Sequence, residues 1–355
     1  MEELLKKLIS FKTVSENIEE NEKALKWVKS KVSDFKVEER HHKNHPVLIV
    51  GEEDPEISLQ AHMDVVPAKE SHFKPVVKKG KLFGRGAYDM KFAIACYLKV
   101  LEDLSDKKSK KVGMMITSDE ELGGFNGVKA VLDDGYNPDF CFLPDGGDNW
   151  SFDRKVKGVW HLDISATGTP GHASRPWEGD SALHKLLSFL RDIEGEFPDH
   201  TYNKECFEST LNIGKIEGGV ATNQIAEKAK AKIDIRFPDE KEKIKIENLL
   251  NEVKNKYEGI TVKEDVFGSA FSCDLNHRHC KKFAEKAESY GKKVSKKLSH
   301  GSSDIRFFAQ KGIPAMMIKP KGGGSHSSKE WIDLEDLKDY CEVLKDFIKT
   351  AYFDK

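Results

Sequence analysis

Short apolar runs alternate with longer amphipathic patterns in the first part of the chain, and the same texture returns near its end. Strands that alternate with helices predict an α/β fold with a mainly parallel sheet flanked by helices. The apolar runs predict buried strands at about 46–50, 57–61, 112–117, 139–143 and 314–318. The amphipathic patterns predict helices within 1–35 and at about 90–104, 124–133, 278–290 and 333–352.

The pattern changes at about residue 158. The segment 225–236 alternates apolar with charged side chains, which is typical of a half-exposed strand in an antiparallel sheet. With predicted helices at 180–194 and 239–257, it indicates an inserted β-α-β-β-α-β unit. The expected domains are 1–157 together with 270–355, and the insert 158–269.

Imidazole and carboxylate side chains follow the predicted strands. His62 and Asp64 end one strand and share a face, because residues i and i+2 of an extended chain point the same way. Asp89 follows a glycine-containing loop, Asp145 follows the fourth strand, and His326 follows the strand at 314–318. Because the carboxyl ends of parallel strands share one edge of a sheet, we expect these groups to converge.

Three consecutive carboxylates, Asp119, Glu120 and Glu121, end the strand at 112–117. In a cleft they would repel one another, and a metal cation is the simplest compensation. Oxygen and nitrogen ligands without sulfur suit zinc, manganese or cobalt, and this many carboxylates could hold two ions.

Each of these residues also has a purely structural interpretation. The acidic run is compatible with an exposed turn, because runs of charge are usually solvated. Asp89 stands where the N-cap of the following helix belongs, and His62 is compatible with a surface position. The residues alone leave these alternatives open.

The composition excludes several classes of partner. Lys and Arg number 58 against 60 for Asp and Glu, so the formal net charge is -2, which argues against nucleic acid or an anionic membrane. The sequence offers no apolar stretch of membrane-spanning length and no apolar signal-peptide core, so we expect a cytoplasmic protein. The six cysteines are scattered without a C-x-x-C pair, and we expect them to be reduced.

The order of motifs over nearly the whole chain resembles a family of dinuclear zinc hydrolases. This family includes aminoacylase, succinyl-diaminopimelate desuccinylase, acetylornithine deacetylase, glutamate carboxypeptidase and the carnosinase-type dipeptidases. The motifs that carry the resemblance are AHMDVVP, GRGAYDMK, TSDEELGG, PDG, GTPGHASRP, ATNQIAEKAKAKIDIRFP, HGSSDIRF and GGGSHSSKEWI.

The resemblance implies a catalytic metal-binding domain and a lid, the latter of the type that can mediate dimerisation. The resemblance implies two divalent ions. Zinc is the expected metal, and cobalt and manganese are the alternatives. The Asp64 side chain is similar to the carboxylate that orients His62, and Glu120 is similar to the general base that activates a metal-bridging water. The implied ligands are His62 and Asp145 for one ion, Glu121 and His326 for the other, and Asp89 as the bridge.

The insert carries the remaining implied roles. His172 resembles the donor that stabilises the oxyanion, and it acts from the lid or from a partner subunit's lid. Arg236, with Asn223, resembles the holder of a substrate carboxylate, for which a guanidinium is suited. Arg236 is also compatible with an exposed strand charge, and Asn223 with a turn. Gly301 and Ser302 are candidate substrate contacts, and a homodimer through the lid is a possible assembly.

The expected activity is hydrolysis of an amide or peptide bond in a small substrate that bears a free carboxylate. Deacylases of the family commonly have Glu at the fourth strand end, whereas its di- and tripeptidases more often have Asp, as Asp145 here. This favours a dipeptide or short peptide. The alternative is an N-acyl amino acid deacylase or desuccinylase. A non-catalytic binding protein on the same scaffold is disfavoured, because the base and every ligand are present.

Overall fold

The computed structural model describes residues 1–104, 111–198 and 206–353. These residues form two compact units. Unit 1 consists of Met1–Arg154, Ser272–Ser299 and Ser303–Lys355, and unit 2 of Lys155–Phe271 and His300–Ser302. No helix in the described residues is long and apolar enough to cross a membrane.

The helices begin with local signals that the sequence contains. The Asn17 side chain accepts a hydrogen bond from the backbone N–H of Glu20, and Ser181 accepts one from His184, so each caps its helix. The helices are α1 (Glu2–Ser10), α2 (Ile18–Lys29), α3 (Lys91–Glu102), α4 (Val128–Asp133), α5 (Ala182–Glu194), α6 (Glu240–Asn255), α7 (Arg278–Ser289), α8 (Ile305–Gln310) and α9 (Leu334–Phe353).

Most strands come in runs of two or more between helices. Those before the insert are β1 (Val37–His42), β2 (His45–Val50), β3 (Ile57–His62), β4 (Val76–Lys78), β5 (Lys81–Phe83), β6 (Val112–Thr117), β7 (Phe140–Phe142) and β8 (Ser151–Val156). The later strands are β9 (Gly158–Thr167), β10 (Thr210–Gly218), β11 (Lys228–Phe237), β12 (Ile260–Gly268), β13 (Phe271–Ser272), β14 (Ser295–Ser299), β15 (Ala315–Met316), β16 (Gly322–Gly323) and β17 (Trp331–Asp333).

The main sheet of unit 1 has six strands in the order β1-β2-β6-β3-β7-β15. Strands β6, β3, β7 and β15 are parallel, and β2 and β1 extend the sheet as an antiparallel edge. Every residue of β3 and β6 is buried, as expected for strands covered on both faces. The predicted α/β class with a mainly parallel sheet is therefore confirmed.

The parallel strands end next to the predicted site residues. Strand β3 ends at His62, which is in register with Thr117 at the end of β6. The acidic residues 119–121 follow β6, and Asp145 follows β7 three residues after Phe142. Because these strands run in the same direction, their ends lie along one edge of the sheet.

Unit 2 has the element order β-α-β-β-α-β that its alternating pattern predicts. Its antiparallel sheet has the order β10-β11-β9-β12. Alternate residues of β11 from Ala229 to Phe237 are buried with α5 and α6 in one apolar core. The intervening residues of β11 form what we call the open face: Lys228, Lys230, Lys232, Asp234 and Arg236.

Two smaller sheets complete the described structure, with the orders β13-β8-β14 and β16-β17-β5-β4. The prediction missed β1, because its sequence VEERHH has no apolar pattern and the strand is held by pairing with β2. Helix α4 begins at Val128 rather than 124, since Gly123 and Gly124 have positive φ and turn the chain first. The N-cap interpretation of Asp89 is wrong, because Met90 occupies the N-cap of α3.

Candidate metal centre and catalytic residues

His62 presents one ring nitrogen to the interior of the site. Its Nδ1 lies 2.9 Å from the main-chain carbonyl oxygen of Asp64, which fixes the proton on Nδ1. Its Nε2 has no hydrogen-bond partner among the described residues, although the side chain is only 1% exposed. This nitrogen faces Oδ1 of Asp89 at 3.5 Å and Oδ1 of Asp145 at 3.8 Å. A buried imidazole nitrogen without a hydrogen-bond partner is suited to binding a cation.

The Asp64 carboxylate organises the acidic turn. It accepts hydrogen bonds from the Ser15 hydroxyl at 2.7 Å and from the backbone N–H groups of Glu120 and Glu121 at 3.2 and 3.1 Å. The carboxylate lies 3.5 Å from His62 Nδ1, farther than the carbonyl oxygen of the same residue. Asp64 therefore contacts His62 through its main chain, while its carboxylate anchors the turn that carries Glu120 and Glu121.

Asp89 faces two imidazoles with separate oxygens. Oδ1 is 3.5 Å from His62 Nε2, and Oδ2 is 3.3 Å from His326 Nε2. Burial opposes ionisation of Asp89, but the charge of Lys319 and hydrogen bonds to both imidazoles hold its pKa well below the usual value. One ionised carboxylate thus lies between the two histidines.

His326 and Glu121 form the more exposed side of the site. His326 Nε2 lies 3.1 Å from Oε2 of Glu121, and His326 has a positive φ of 62° in the turn between β16 and β17. Hydrogen bonding to Asp89 and Glu121 raises the pKa of His326 to about 10. In the absence of a cation, this imidazole would carry a proton, and a bound cation would replace it.

The donor atoms fit divalent cations in two groups. In each group the atoms lie within 4.8 Å of one another. Two ligand atoms that are each about 2.1 Å from one tetrahedral zinc lie about 3.4 Å apart, close to the separations of 3.1 to 3.8 Å found here. The groups are His62, Glu120 and Asp145, and Asp89, Glu121 and His326.

Glu120 combines a half-buried position with an unfavourable electrostatic environment. Burial of its carboxyl end, followed by the charge of Asp145, raises the pKa of Glu120 well above the usual value. Burial likewise raises the pKa of Asp145. A carboxyl group that readily exchanges a proton beside a metal site is suited to general acid–base chemistry.

Glu330 positions Asp89, and the sequence analysis missed it. Its carboxylate accepts hydrogen bonds from the backbone N–H groups of Gly86, Tyr88 and Asp89 at 2.9 to 3.0 Å. It also binds the Arg85 guanidinium at 2.7 Å. The motifs GRGAYDMK and GGGSHSSKEWI contain both partners, but nothing in either motif indicates that they meet.

Lys319 is the second residue that the sequence analysis missed. Its Nζ lies 3.8 Å from Oδ1 of Asp89 and 3.7 Å from Oδ1 of Asp145. A lysine that follows a buried strand is the available signal, because the other site residues occupy the same kind of position. In a chain with 58 basic residues this signal is weak.

The remaining predicted site residues belong to unit 2. Nδ1 of His172 accepts a hydrogen bond from the backbone N–H of Ser174 at 3.2 Å, and it lies 2.8 Å from the Ser174 hydroxyl. The carbonyl of Asn223 accepts a hydrogen bond from the N–H of Ala173, so Asn223 lies beside the His172 segment. Gly301 and Ser302 lie in the short segment His300–Ser302 that clusters with this unit.

Arg236 already has a carboxylate partner within unit 2. Its Nε and Nη2 donate to the two oxygens of Asp234 at 2.7 and 3.0 Å. His161 Nε2 approaches the same carboxylate at 3.3 Å. The geometry of Arg236 is thus that of a bidentate guanidinium–carboxylate pair on a half-exposed strand face.

An α/β fold that gathers imidazoles and carboxylates around the carboxyl ends of its parallel strands is suited to a metal-dependent hydrolase. The sequence profile of the Peptidase family M20/M25/M40 matches residues 58–350, and the chain belongs to this family. This confirms the resemblance described above. The protein is accordingly an enzyme that acts on amide bonds.

Known proteins similar to this chain include hydrolases of two kinds. The succinyl-diaminopimelate desuccinylase of Pelagibacter ubique (strain HTCC1062) is 27% identical over 352 residues, covering 91% of this chain and 90% of the relative. The aminopeptidase PepT of Bacillus cereus has a TM-score of 0.78 at 20% identity and covers 98% of this chain and 97% of its own. An M20 family metallo-carboxypeptidase of Sulfolobus solfataricus has a TM-score of 0.76 at 18% identity, with 98% of each chain covered. At these identities the two solved structures establish the fold.

Proposed function

We propose that this enzyme hydrolyses an amide bond in a small substrate that bears a free carboxylate, and that the substrate is a dipeptide or a short peptide. The observation that carries the proposal is the position of Asp89, which turns one oxygen to His62 and the other to His326. This arrangement supports a bridging ligand between two cation sites.

The proposed cofactors are two divalent ions. Zinc is the favoured metal, and cobalt and manganese are the alternatives. His62 and Asp145 would hold one ion, Glu121 and His326 the other, and Asp89 would lie between them. Bound ions would polarise the scissile carbonyl and lower the pKa of the attacking water. The nitrogen and oxygen donors without sulfur favour these metals.

Glu120 is the proposed general base. Its backbone N–H is held by the Asp64 carboxylate at 3.2 Å, so the residue is fixed at the end of β6. In the absence of a cation, burial and the charge of Asp145 raise the pKa of Glu120, which favours proton uptake at this carboxylate. Glu120 would take a proton from the attacking water and return it to the amine that leaves, so that one group serves as base and then as acid.

His172 is the proposed donor to the oxyanion. A backbone N–H can only donate, so the contact from Ser174 makes Nδ1 of a neutral His172 an acceptor and places the imidazole proton on Nε2. A neutral imidazole with an Nε2–H is a competent donor to developing negative charge. Ser174 would thus set the tautomer that the role requires.

Arg236 and Asn223 are the proposed contacts to the substrate carboxylate, with Gly301 and Ser302 as further contacts. The bidentate pair with Asp234 orients the Arg236 guanidinium, and a substrate carboxylate would have to compete with that partner. The homodimer also stays a prediction. The exposed side chains of Leu187, Ile216 and Val220 offer a surface for it on unit 2.

A desuccinylase or N-acyl amino acid deacylase is the second candidate function. The desuccinylase relative favours it, because the match covers nearly the full length of both chains. The shorter side chain of Asp145 favours a peptidase, as argued from the sequence. Both functions use the same cation site and the same base, and they differ in the group on the acyl side of the bond.

The test is a substrate panel with the zinc-loaded and cobalt-loaded enzyme. Dipeptides, tripeptides and N-acetyl- and N-succinyl-amino acids would be incubated in parallel, and products identified by mass. Cleavage confined to peptides is the expected result. Cleavage confined to the acyl substrates would replace the proposed substrate class with the second candidate. Tight binding of substrates without any turnover would favour the non-catalytic alternative.

A further inference from the structure

We propose that Lys319 is a built-in cation of the metal centre, which weakens the binding of metal ions there and stabilises the metal-free protein. The inference rests on the metal centre proposed above, but not on the choice between peptide and acyl substrates. It concerns a residue for which the family resemblance implies no role.

Lys319 brings a positive charge to two of the proposed ligands. Its Nζ lies 3.8 Å from Asp89 and 3.7 Å from Asp145, and the residue is only 3% exposed. Both separations are longer than a hydrogen bond, so the interaction is attraction between charges rather than a specific bond. Solvent screens such a buried interaction weakly.

The surrounding structure holds Lys319 in place. Its backbone N–H donates to the carbonyl of Gly147 at 2.7 Å, and its carbonyl accepts from the N–H of Trp150 at 2.9 Å. These bonds attach Lys319 to the loop that follows Asp145. The ammonium also lies 5.1 Å from the centre of the Tyr88 ring, next to Asp89 in sequence.

Carboxylates surround the buried ammonium group, and they compensate its positive charge. They belong to Asp89, Asp145, Asp148 and Asp153. Without a metal ion, the ammonium offsets part of the repulsion among the ligand carboxylates. With a metal ion bound, it lies close to a second positive charge and opposes binding.

The effect should be uneven across the site. Lys319 lies beside Asp145 and beside the Asp89 oxygen that faces His62, whereas Glu121 faces His326. The ion held by His62 and Asp145 should therefore be bound more weakly and lost first. An enzyme built this way would keep one ion firmly and exchange the other.

The test is Lys319→Met, which retains most of the side-chain volume and removes the charge. Zinc affinity would be measured by competition with a chromophoric chelator, and stoichiometry by elemental analysis after dialysis. We expect the weaker site to bind zinc about tenfold more tightly or better, because an opposing charge is removed. The metal-free variant should melt at a lower temperature than the metal-free wild type, and zinc should raise its melting temperature by more.

Two further variants distinguish the effect of the Lys319 charge on zinc affinity from the effect of its side-chain shape. Lys319→Arg keeps the positive charge and should leave zinc affinity near that of the wild type. Lys297→Met removes another lysine of the same unit, one that binds Asp148 at 2.7 Å and lies 3.5 Å from Asp153, and it should change zinc affinity less than twofold.

Unchanged or weaker zinc binding by Lys319→Met, in protein that still folds, would overturn the inference. Equal tightening by Lys319→Arg would assign the effect to shape and overturn it as well. If Lys319→Met folds only with zinc, stabilisation of the metal-free state is supported directly. Failure of the wild type to bind zinc would instead refute the proposed metal centre.

Discussion

The charged residues of unit 1 and unit 2 are arranged in opposite ways. Around the carboxyl ends of β3, β6 and β7 in unit 1, which we call the metal edge, His62 Nε2 lies 3.5 Å from Asp89 and 3.8 Å from Asp145. This nitrogen has no hydrogen-bond partner among the described residues. On the open face of unit 2, charges form direct pairs. Arg236 binds Asp234 with two hydrogen bonds, and Lys232 lies 3.0 Å from Asp163.

The difference indicates which charges serve chemistry. Exposed pairs on a strand are solvated and contribute little to stability, so they need no further partner. Buried carboxylates and imidazoles at spacings longer than a hydrogen bond are costly unless a ligand completes them. The raised pKa of Glu120 expresses this cost, whereas the lowered pKa of Asp89 shows that Lys319 and the two imidazoles offset it there. The charges of the metal edge are thus arranged to bind a cation, whereas most charges of the open face are already paired within the protein.

The sharpest test of this contrast is Glu120→Gln. If the charge of Glu120 serves proton transfer, kcat should fall about 100- to 10,000-fold, while zinc content and melting temperature stay near the wild-type values. Asp163→Asn, at the β9 residue that pairs with Lys232 of the open face, is the matched control and should leave kcat unchanged. Loss of zinc together with activity would make Glu120 a ligand, as its grouping with His62 and Asp145 allows.

The second test is whether Arg236 of the open face binds a substrate carboxylate as well as Asp234. Arg236→Ala should weaken the binding of substrates with a free carboxylate by about 1.5–3 kcal/mol, which is the scale of a hydrogen bond to a charged group. Asp234→Asn should have the opposite effect and lower KM, because it removes the competing partner of the guanidinium. The measurement is kcat/KM for a dipeptide and for its carboxyl-amidated form. Equal loss on both substrates would show that Arg236 does not hold the carboxylate.

The third prediction concerns the dependence of stability on pH. Asp304 is fully buried, neither of its carboxylate oxygens has a hydrogen-bond partner among the described residues, and burial raises its pKa to about 8. Between pH 4 and 8, the folded state therefore holds a proton that the unfolded state has lost, so stability falls as pH rises. The slope from this one group is at most about 1.4 kcal/mol per pH unit.

Asp304→Asn should remove that slope. Urea unfolding of the metal-free proteins at several pH values between 4 and 8 would measure it, with Asp163→Asn at a half-exposed position as the control. The advantage of Asp304→Asn over the wild type should grow with pH. A constant difference across this range would contradict the assignment to Asp304.

Much of the fold was predictable from local patterns. The alternation of β11 and the apolar runs of β3 and β6 identify half-exposed and buried strands, because side-chain direction repeats every two residues. Strand β1 escaped prediction because its sequence lacks such a pattern and the strand depends on its partner. The Asp89 alternatives could not be separated either, since an N-cap and a site residue look the same at that position.

The candidate site was predictable as a set of residues but not as an arrangement. The strand-end positions of His62, Glu121 and Asp145 follow from the order of elements. The hydrogen bond between Arg85 and Glu330 joins residues 245 positions apart, and no local pattern indicates it. The same holds for Lys319, whose role depends on which carboxylates surround it.

The sequence by itself determined the α/β class, the β-α-β-β-α-β order of the insert and the donor types at the strand ends. Local propensity, apolar periodicity and residue chemistry are properties of short segments, so these features can be inferred without coordinates. Only the tertiary structure decided that Asp89 lies between two imidazoles, that Asp64 anchors the acidic turn, that Arg236 is paired with Asp234 and that Lys319 adds a positive charge to the metal edge. Those features depend on distances between segments remote in the chain, and such distances are set by how the segments pack.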